Sequence, residues 1–312
     1  MKILDIHSSS LEEYRMFNSH YEFDIQQISA GCFSGDTFIV FLDDIHIGDR
    51  HNTQTVLEQG QFPETAFLFS VIKKGEFCSS GIEAKKSDLV SLSGASNYKN
   101  ITTKNSYRHS LSILDSCNRK YLSYEDVEFS QQLKSGGATL YITEPESFAK
   151  FEKCLASSIE FCRHHEPSYF NSLITSDITE SIIFSWLHCI MQAKCSKSRL
   201  NTRMRYVTKA IDFLSNADLK YTSLKDLIQT LHISHRVLEY AFKDCLGMSP
   251  KQYLTRLRLN AIRKELILVD PFIHSITDIV KDYGVVNTGR FAKDYFIMFG
   301  EKPKETLNGT RS

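Results

Sequence analysis

The sequence predicts an α+β chain of two domains: an antiparallel β barrel or sandwich with two flanking helices, then an all-α domain of two helix-turn-helix units. Three observations predict it. Short runs rich in β-branched and aromatic residues, parted by turn residues, fill the first third. A pattern of helix, tight turn, capped helix and terminal glycine occurs twice in the last third. The charge is split: Met1–Ala193 carries 16 Lys and Arg against 25 Asp and Glu, whereas Lys194–Ser312 carries 21 against 12.

At 312 residues the chain is long enough for two domains. Its 42% hydrophobic and 24% charged residues are ordinary for a globular protein. No apolar run reaches the roughly 18–20 residues of a membrane span. Met1–Tyr21 lacks the basic start, apolar middle and small-residue cleavage site of a signal peptide. No membrane partner is expected. The eight cysteines are scattered without a CxxC, against a zinc module or disulfide scaffold and in keeping with reduced thiols in a cytoplasm.

In the first domain, residues 1–193, strands are expected at Phe23–Ser29, Thr37–Phe41, Ala66–Ile72, Ser87–Leu92 and Ser110–Ile113. A helix over 146–163 carries Phe148, Phe151, Leu155 and Ile159 on one stripe, and a second over 176–194 carries Ile178, Ile182, Trp186, Cys189 and Ile190. The stripes fit packing on their own domain or a dimer contact. The polar, basic stretch 194–203, KCSKSRLNTR, reads as a linker.

The second domain spans 204–308. Its first unit opens on a supporting helix with Val207, Ala210, Ile211 and Leu214 on one face. The helix-turn-helix proper covers 223–246. Ser223 with Asp226 three positions on marks a helix start, Leu231-His232-Ile233 the turn, and Ser234 the cap of the next helix. Leu238, Phe242 and Leu246 face inward there, and Gly247 ends it. The second unit covers 275–299: a helix from Ser275, a turn at Tyr283-Gly284-Val285, and a helix capped by Asn287 with Phe291, Tyr295 and Phe299 inward, ended by Gly300. Between them a helix over 249–268 starts with Ser249 as cap and Pro250 in the first turn. Twenty residues make about 30 Å, close to the ~34 Å between successive major grooves on one side of a duplex.

A basic domain presenting paired helices matches a duplex, whose major groove admits a helix and shows distinct donors and acceptors for each base pair. The first turns of the second helix in each unit would reach base edges. That set is Ser234, His235, Arg236, Glu239, Tyr240 and Lys243 in the first unit, and Asn287, Thr288, Gly289, Arg290 and Lys293 in the second. Lys251, Arg256 and Arg258 on the connecting helix are further candidates for phosphate or base contact. The first unit, with its Arg/Glu/Tyr face, is expected to give more base specificity, and the second more backbone anchoring.

These residues resemble the AraC/XylS family of transcriptional regulators. Its pattern stands here as Ser234, Leu238, Phe242, Gly247, Ser249, Pro250 and Tyr253, then Arg258, Ala261 and Leu266, and closes with Ile276, Ile279, Gly284, Phe291, Tyr295, Phe299, Gly300 and Pro303. The stretch Gly289–Lys302 also looks like the branch that contains the ethanolamine-utilisation regulator. The chain departs from the family at Ile228 and Val280, where alanine is usual, at His232, where glycine is usual, and at Val285, where an aromatic is usual.

The resemblance implies a cupin-like sensor and dimerisation domain in the first half, and an activator of transcription with double-stranded DNA, RNA polymerase, a small-molecule effector and a second copy of the chain as partners. Two readings of the first half stay open: a pocket for an effector, or a protein-interaction module with none. An enclosed cavity would favour the first and a filled interior the second. A barrel enzyme with a DNA-binding appendage is the third reading, but no GxSxG, HExxH, P-loop or GxGxxG occurs. His46 and His51, and the adjacent His164 and His165, do not form a metal-ligand set, so neither metal nor cofactor is expected.

Overall fold

A computed structural model describes all residues except 18–22, 62–65, 80–81, 94–96, 122–137, 197–201 and 310–312. The chain divides into two units. Unit 1 comprises Met1–Ile25 and Ser34–Arg199; unit 2 comprises Gln26–Phe33 and Leu200–Ser312.

Unit 1 holds two antiparallel sheets. Strands β1 (Lys2–Ser8), β3 (Gly35–Phe41), β4 (Ile45–Asn52), β6 (Ala66–Lys74), β9 (Leu89–Ser93), β11 (Ser106–Leu114), β12 (Ala138–Ile142) and β13 (Lys194–Ser196) form the larger, in the order β1-β3-β4-β11-β6-β9-β12-β13. Strands β2 (Phe23–Gln27, whose last two residues are counted with unit 2), β5 (Val56–Gln61), β7 (Phe77–Ser79), β8 (Ile82–Ala84) and β10 (Asn97–Thr102) form the smaller, in the order β2-β5-β10-β7-β8. The result is a pair of sheets rather than a closed barrel. Helices α1 (Leu11–Phe17) and α2 (Asp115–Tyr121) are short; α3 (Pro145–Arg163) and α4 (Ser172–Met191) are long.

The expected helices appear with shifted ends, and the shifts have local causes. Glu144 caps α3, its carboxylate accepting from the Ser147 amide at 2.8 Å, and Pro145 fits the first turn. Asn171 caps α4 four residues before the expected start, accepting from the amides of Leu173 and Ile174. The stripe of α3 and Ile182, Ile183, Trp186, Leu187, Cys189 and Ile190 of α4 are buried against Phe67, Phe69, Val71, Leu111 and Ile113 of the large sheet.

On the other face of β11, Arg108 makes a buried ion pair to Glu58 of the small sheet, both carboxylate oxygens standing at 2.8 Å from Nη2. The large sheet is thus covered on both sides, by helices and by the second sheet. That is why its strands do not alternate cleanly between apolar and polar residues. Lys194–Ser196, read as the start of the linker, instead pairs with β12 through Ile142↔Lys194 and Leu140↔Ser196. It is an edge strand, where main-chain pairing needs no apolar side chains.

Unit 2 is helical. Helices α5 (Thr202–Asn216), α6 (Leu224–Leu231), α7 (His235–Leu246), α8 (Pro250–Leu268), α9 (Ile276–Asp282), α10 (Thr288–Phe299) and α11 (Pro303–Gly309) follow in order. Helix α8 is the hub, and it buries residues all round its axis: Tyr253, Leu254, Leu257, Leu259, Asn260, Ile262 and Leu266. A helix buried on every side shows no single apolar stripe. Leu268, the last residue of the helix, is 76% exposed.

Gln26–Phe33 is the unexpected part of unit 2, because it precedes the helices by some 170 residues of chain. Gln27 is buried, and its amide nitrogen donates to the carbonyls of Ser29, Gly31 and Met298. Ile28 is fully buried, and the Gly31 amide donates to the Ile297 carbonyl at 3.1 Å.

Candidate nucleic-acid interface

The first two-helix unit is α6 and α7. Ser223 and Asp226 form a reciprocal capping box: the Ser223 hydroxyl accepts from the Asp226 amide, and the Asp226 carboxylate accepts from the Ser223 amide. The hydroxyl and then the amide of Ser223, both donating to it, hold the Asp226 carboxyl below its ordinary pKa. The turn passes through His232 at φ 52°, ψ 41°, the left-handed conformation that glycine usually supplies. Ser234 then caps α7, accepting from the Val237 amide. Leu238, Ala241 and Phe242 are buried, and Phe242 meets Tyr253 of α8 edge-to-face at 5.4 Å. Leu246 is only half-buried. Gly247 ends the helix at φ 64°.

The outer face of α7 carries the predicted reading residues together. His235 and Arg236 lie in its first turn, and the Arg236 guanidinium lies 5.5 Å from the Tyr240 ring centre. Tyr240 is 55% exposed. Glu239 is less open and lies within 4 Å of both His235 and Lys243. On this helix it stands as a charge partner of its neighbours.

The second unit, α9 and α10, repeats the design. Ser275 caps α9 by accepting from the Asp278 amide. Asn287 caps α10 through Oδ1, which accepts from the Arg290 amide at 2.9 Å. Phe291, Tyr295 and Met298 are buried; Phe299 is half-buried and packs on Tyr295. Thr288, Gly289, Arg290 and Lys293 are exposed. The Arg290 Nε stands 3.7 Å from the Asp294 carboxylate. A Cβ added at Gly289 would meet only the Asn287 side chain, at 3.5 Å, so its bare backbone leaves an open face. The apolar Val286 is 98% exposed at the mouth of this turn, a feature with no warning in the sequence pattern.

Two arginines do not join this face. Arg258 donates from Nε to the Leu219 carbonyl at 3.0 Å and from Nη2 to the Thr222 carbonyl at 2.8 Å, tying the loop before α6 to the hub helix. Arg256 donates to the Ile28 carbonyl. Burial lowers the pKa of both guanidinium groups. Lys251 and Thr255 stay exposed, and with Arg290 and Asp294 they line a cleft of about 550 Å³ between α8 and α10.

Two capped pairs of helices, hinged on one 19-residue helix and each presenting the start of its second member, define a double helix-turn-helix domain. Residues 227–309 match the family described as "Helix-turn-helix domain". A curated relative, XylDLEGF operon transcriptional activator 3 of Pseudomonas putida, is 27% identical over 139 residues, covering 45% of this chain and 39% of its own. The probable thc operon regulatory protein of Rhodococcus erythropolis is 31% identical over 101 residues, covering 32% of this chain and 30% of its own. The chain thus spans well under half the length of these relatives. Among solved structures, a probable AraC family transcriptional regulator from Rhodopseudomonas palustris is 29% identical with a TM-score of 0.32, covering 35% of this chain and 99% of its own. The AraC-like transcriptional activator CuxR is 13% identical with a TM-score of 0.46, covering 82% of this chain and 94% of its own. The C-terminal domain is of the AraC/XylS type.

Proposed function

We propose that this chain is a sequence-specific DNA-binding transcriptional regulator, an activator that responds to a small molecule or other signal through unit 1. One observation carries the reading: both second helices of the repeat, α7 and α10, present solvent-facing polar first turns while their opposite faces are buried. Arg236 and Tyr240 read bases from α7. Thr288, Gly289 and Lys293 approach from α10, with Arg290 beside them. Lys251 and Arg290 supply phosphate contacts from the cleft between α8 and α10. Arg256 and Arg258 hold the domain together instead.

RNA polymerase is the expected partner of an activator. Self-association is supported by α4, where Leu173, Phe184 and Met191 are 57–69% exposed and recur at 11 and 7 residues along one face. No described helix is long and apolar enough to cross a membrane, and the reading places the chain with the DNA in the cytoplasm. It assigns no catalysis.

The test uses the full chain and duplexes selected from a random pool. Arg236→Ala should cost about 1–3 kcal/mol on the preferred sequence and flatten the preference at one base pair. An equal loss on every sequence would assign Arg236 to phosphate, and no loss at all would remove α7 from the interface.

A further inference from the structure

Unit 1 contains an open cleft of about 650 Å³ between the large sheet and the C-terminal turns of α3, walled by Asp49, Tyr107 and His109 on one side and by Glu160, Phe161, His164 and His165 on the other. Its chemistry is one-sided. The His164 Nδ1 lies 2.9 Å from the Glu160 carbonyl and the His165 Nδ1 lies 2.8 Å from the Phe161 carbonyl. A carbonyl only accepts, so each Nδ1 carries the proton, and the neutral ring keeps its lone pair on Nε2. The Glu160 carboxylate adds further acceptors.

The far wall carries the Asp49 carboxylate. Arg163 donates to Asp49 from Nη2, and its Nε stands 3.9 Å from the Glu160 carboxylate. The Tyr107 hydroxyl donates to the same carboxylate at 3.4 Å, and the His109 Nε2 lies 3.0 Å from that hydroxyl. Among the described residues the buried His109 Nδ1 has no hydrogen-bond partner. Burial, with help from Lys73 and Arg163, pushes the His109 pKa down to about 4, so the ring brings no positive charge to the wall.

Two further features favour a cation. The cleft lies at the C-terminal end of a 19-residue helix, where the peptide dipoles sum to a partial negative charge. Phe161 is 37% exposed within a ring cluster, with His165 at 4.3 Å and Tyr169 at 6.1 Å between centroids. Aromatic faces attract cations.

We propose that this cleft binds a small organic amine, its ammonium group held by Glu160 and the Nε2 atoms of His164 and His165, and its apolar body laid against Phe161. This deepens the sensing role proposed for unit 1 by giving the ligand a chemical class and a place.

Three probes of one size separate the charge classes: benzylamine, benzyl alcohol and benzoate, titrated calorimetrically into the full chain without DNA. Benzylamine should bind, benzyl alcohol more weakly, and benzoate not at all. Glu160→Gln and Phe161→Leu, both at exposed helical positions, should each weaken benzylamine by about tenfold while leaving the melting temperature in place. Benzoate binding as well as benzylamine, no benzylamine binding, or an unchanged affinity in Glu160→Gln would each overturn the proposal. Because no DNA is present, none of these outcomes bears on DNA reading.

Discussion

Asn260 of the hub helix donates from Nδ2 to the main-chain oxygen of Gln27 at 2.8 Å, and Gln27 in turn donates to the Met298 carbonyl at the end of α10. A segment from early in the chain thereby bonds to both α8 and α10 within unit 2. Gln27→Ala removes the side-chain donor to the Ser29, Gly31 and Met298 carbonyls. It should destabilise the chain by about 2–4 kcal/mol in a denaturant melt. A loss under ~0.5 kcal/mol would mean that water replaces the side chain at no cost.

Arg258 and Lys251 sit on the same helix and should behave oppositely. Arg258 is committed to the Leu219 and Thr222 carbonyls, whereas Lys251 is exposed beside the α8–α10 cleft. Arg258→Ala should lower the melting temperature and leave the salt dependence of DNA binding unchanged. Lys251→Ala should leave the melt unchanged and reduce the slope of log K against log salt by about one. The reverse pattern would exchange their roles.

His232 holds a left-handed conformation at φ 52°, where a side chain carries a steric cost. His232→Gly should stabilise the chain, by up to ~1 kcal/mol, with no change in DNA specificity. A destabilised variant would show that the imidazole makes a compensating contact.

His109 gives a pH signature. Its pKa is about 4 in the folded chain against an ordinary 6.5. The unfolded chain therefore binds the proton first as pH falls. Stability from this group is intact above about pH 6.5 and lost progressively down to about pH 4, by ~3 kcal/mol at most. In His109→Gln the decline of stability over that window should be shallower than in the parent. Equal slopes would place the acid sensitivity on other groups.

Unit 2 was largely legible in the sequence because its signals are local. A capping serine, a turn residue and a terminal glycine act within a few positions of one another, and α7, α8 and α10 keep the boundaries read from Ser234, Ser249 and Asn287. The surroundings of single side chains were not local. Arg258 looks like any exposed arginine until the loop at Leu219–Thr222 folds under it, and nothing near Gln27 marks it as part of a helical domain. In unit 1, strands such as β4 and β11 escaped a clean reading because both of their faces are buried. β12 and β13 pair across some fifty residues, a relation no short window contains.

The spacing of the sites that the full chain selects from random DNA tests the central claim most directly. Helix α8, at 19 residues, is about 28 Å long and joins the two helix-turn-helix pairs. The selected duplexes should therefore carry two conserved elements about one helical turn, ~10 base pairs, apart, and binding should fall steeply with salt. Selection of a single element, or no enrichment over a salt-insensitive background, would contradict a reading by two helices in successive major grooves.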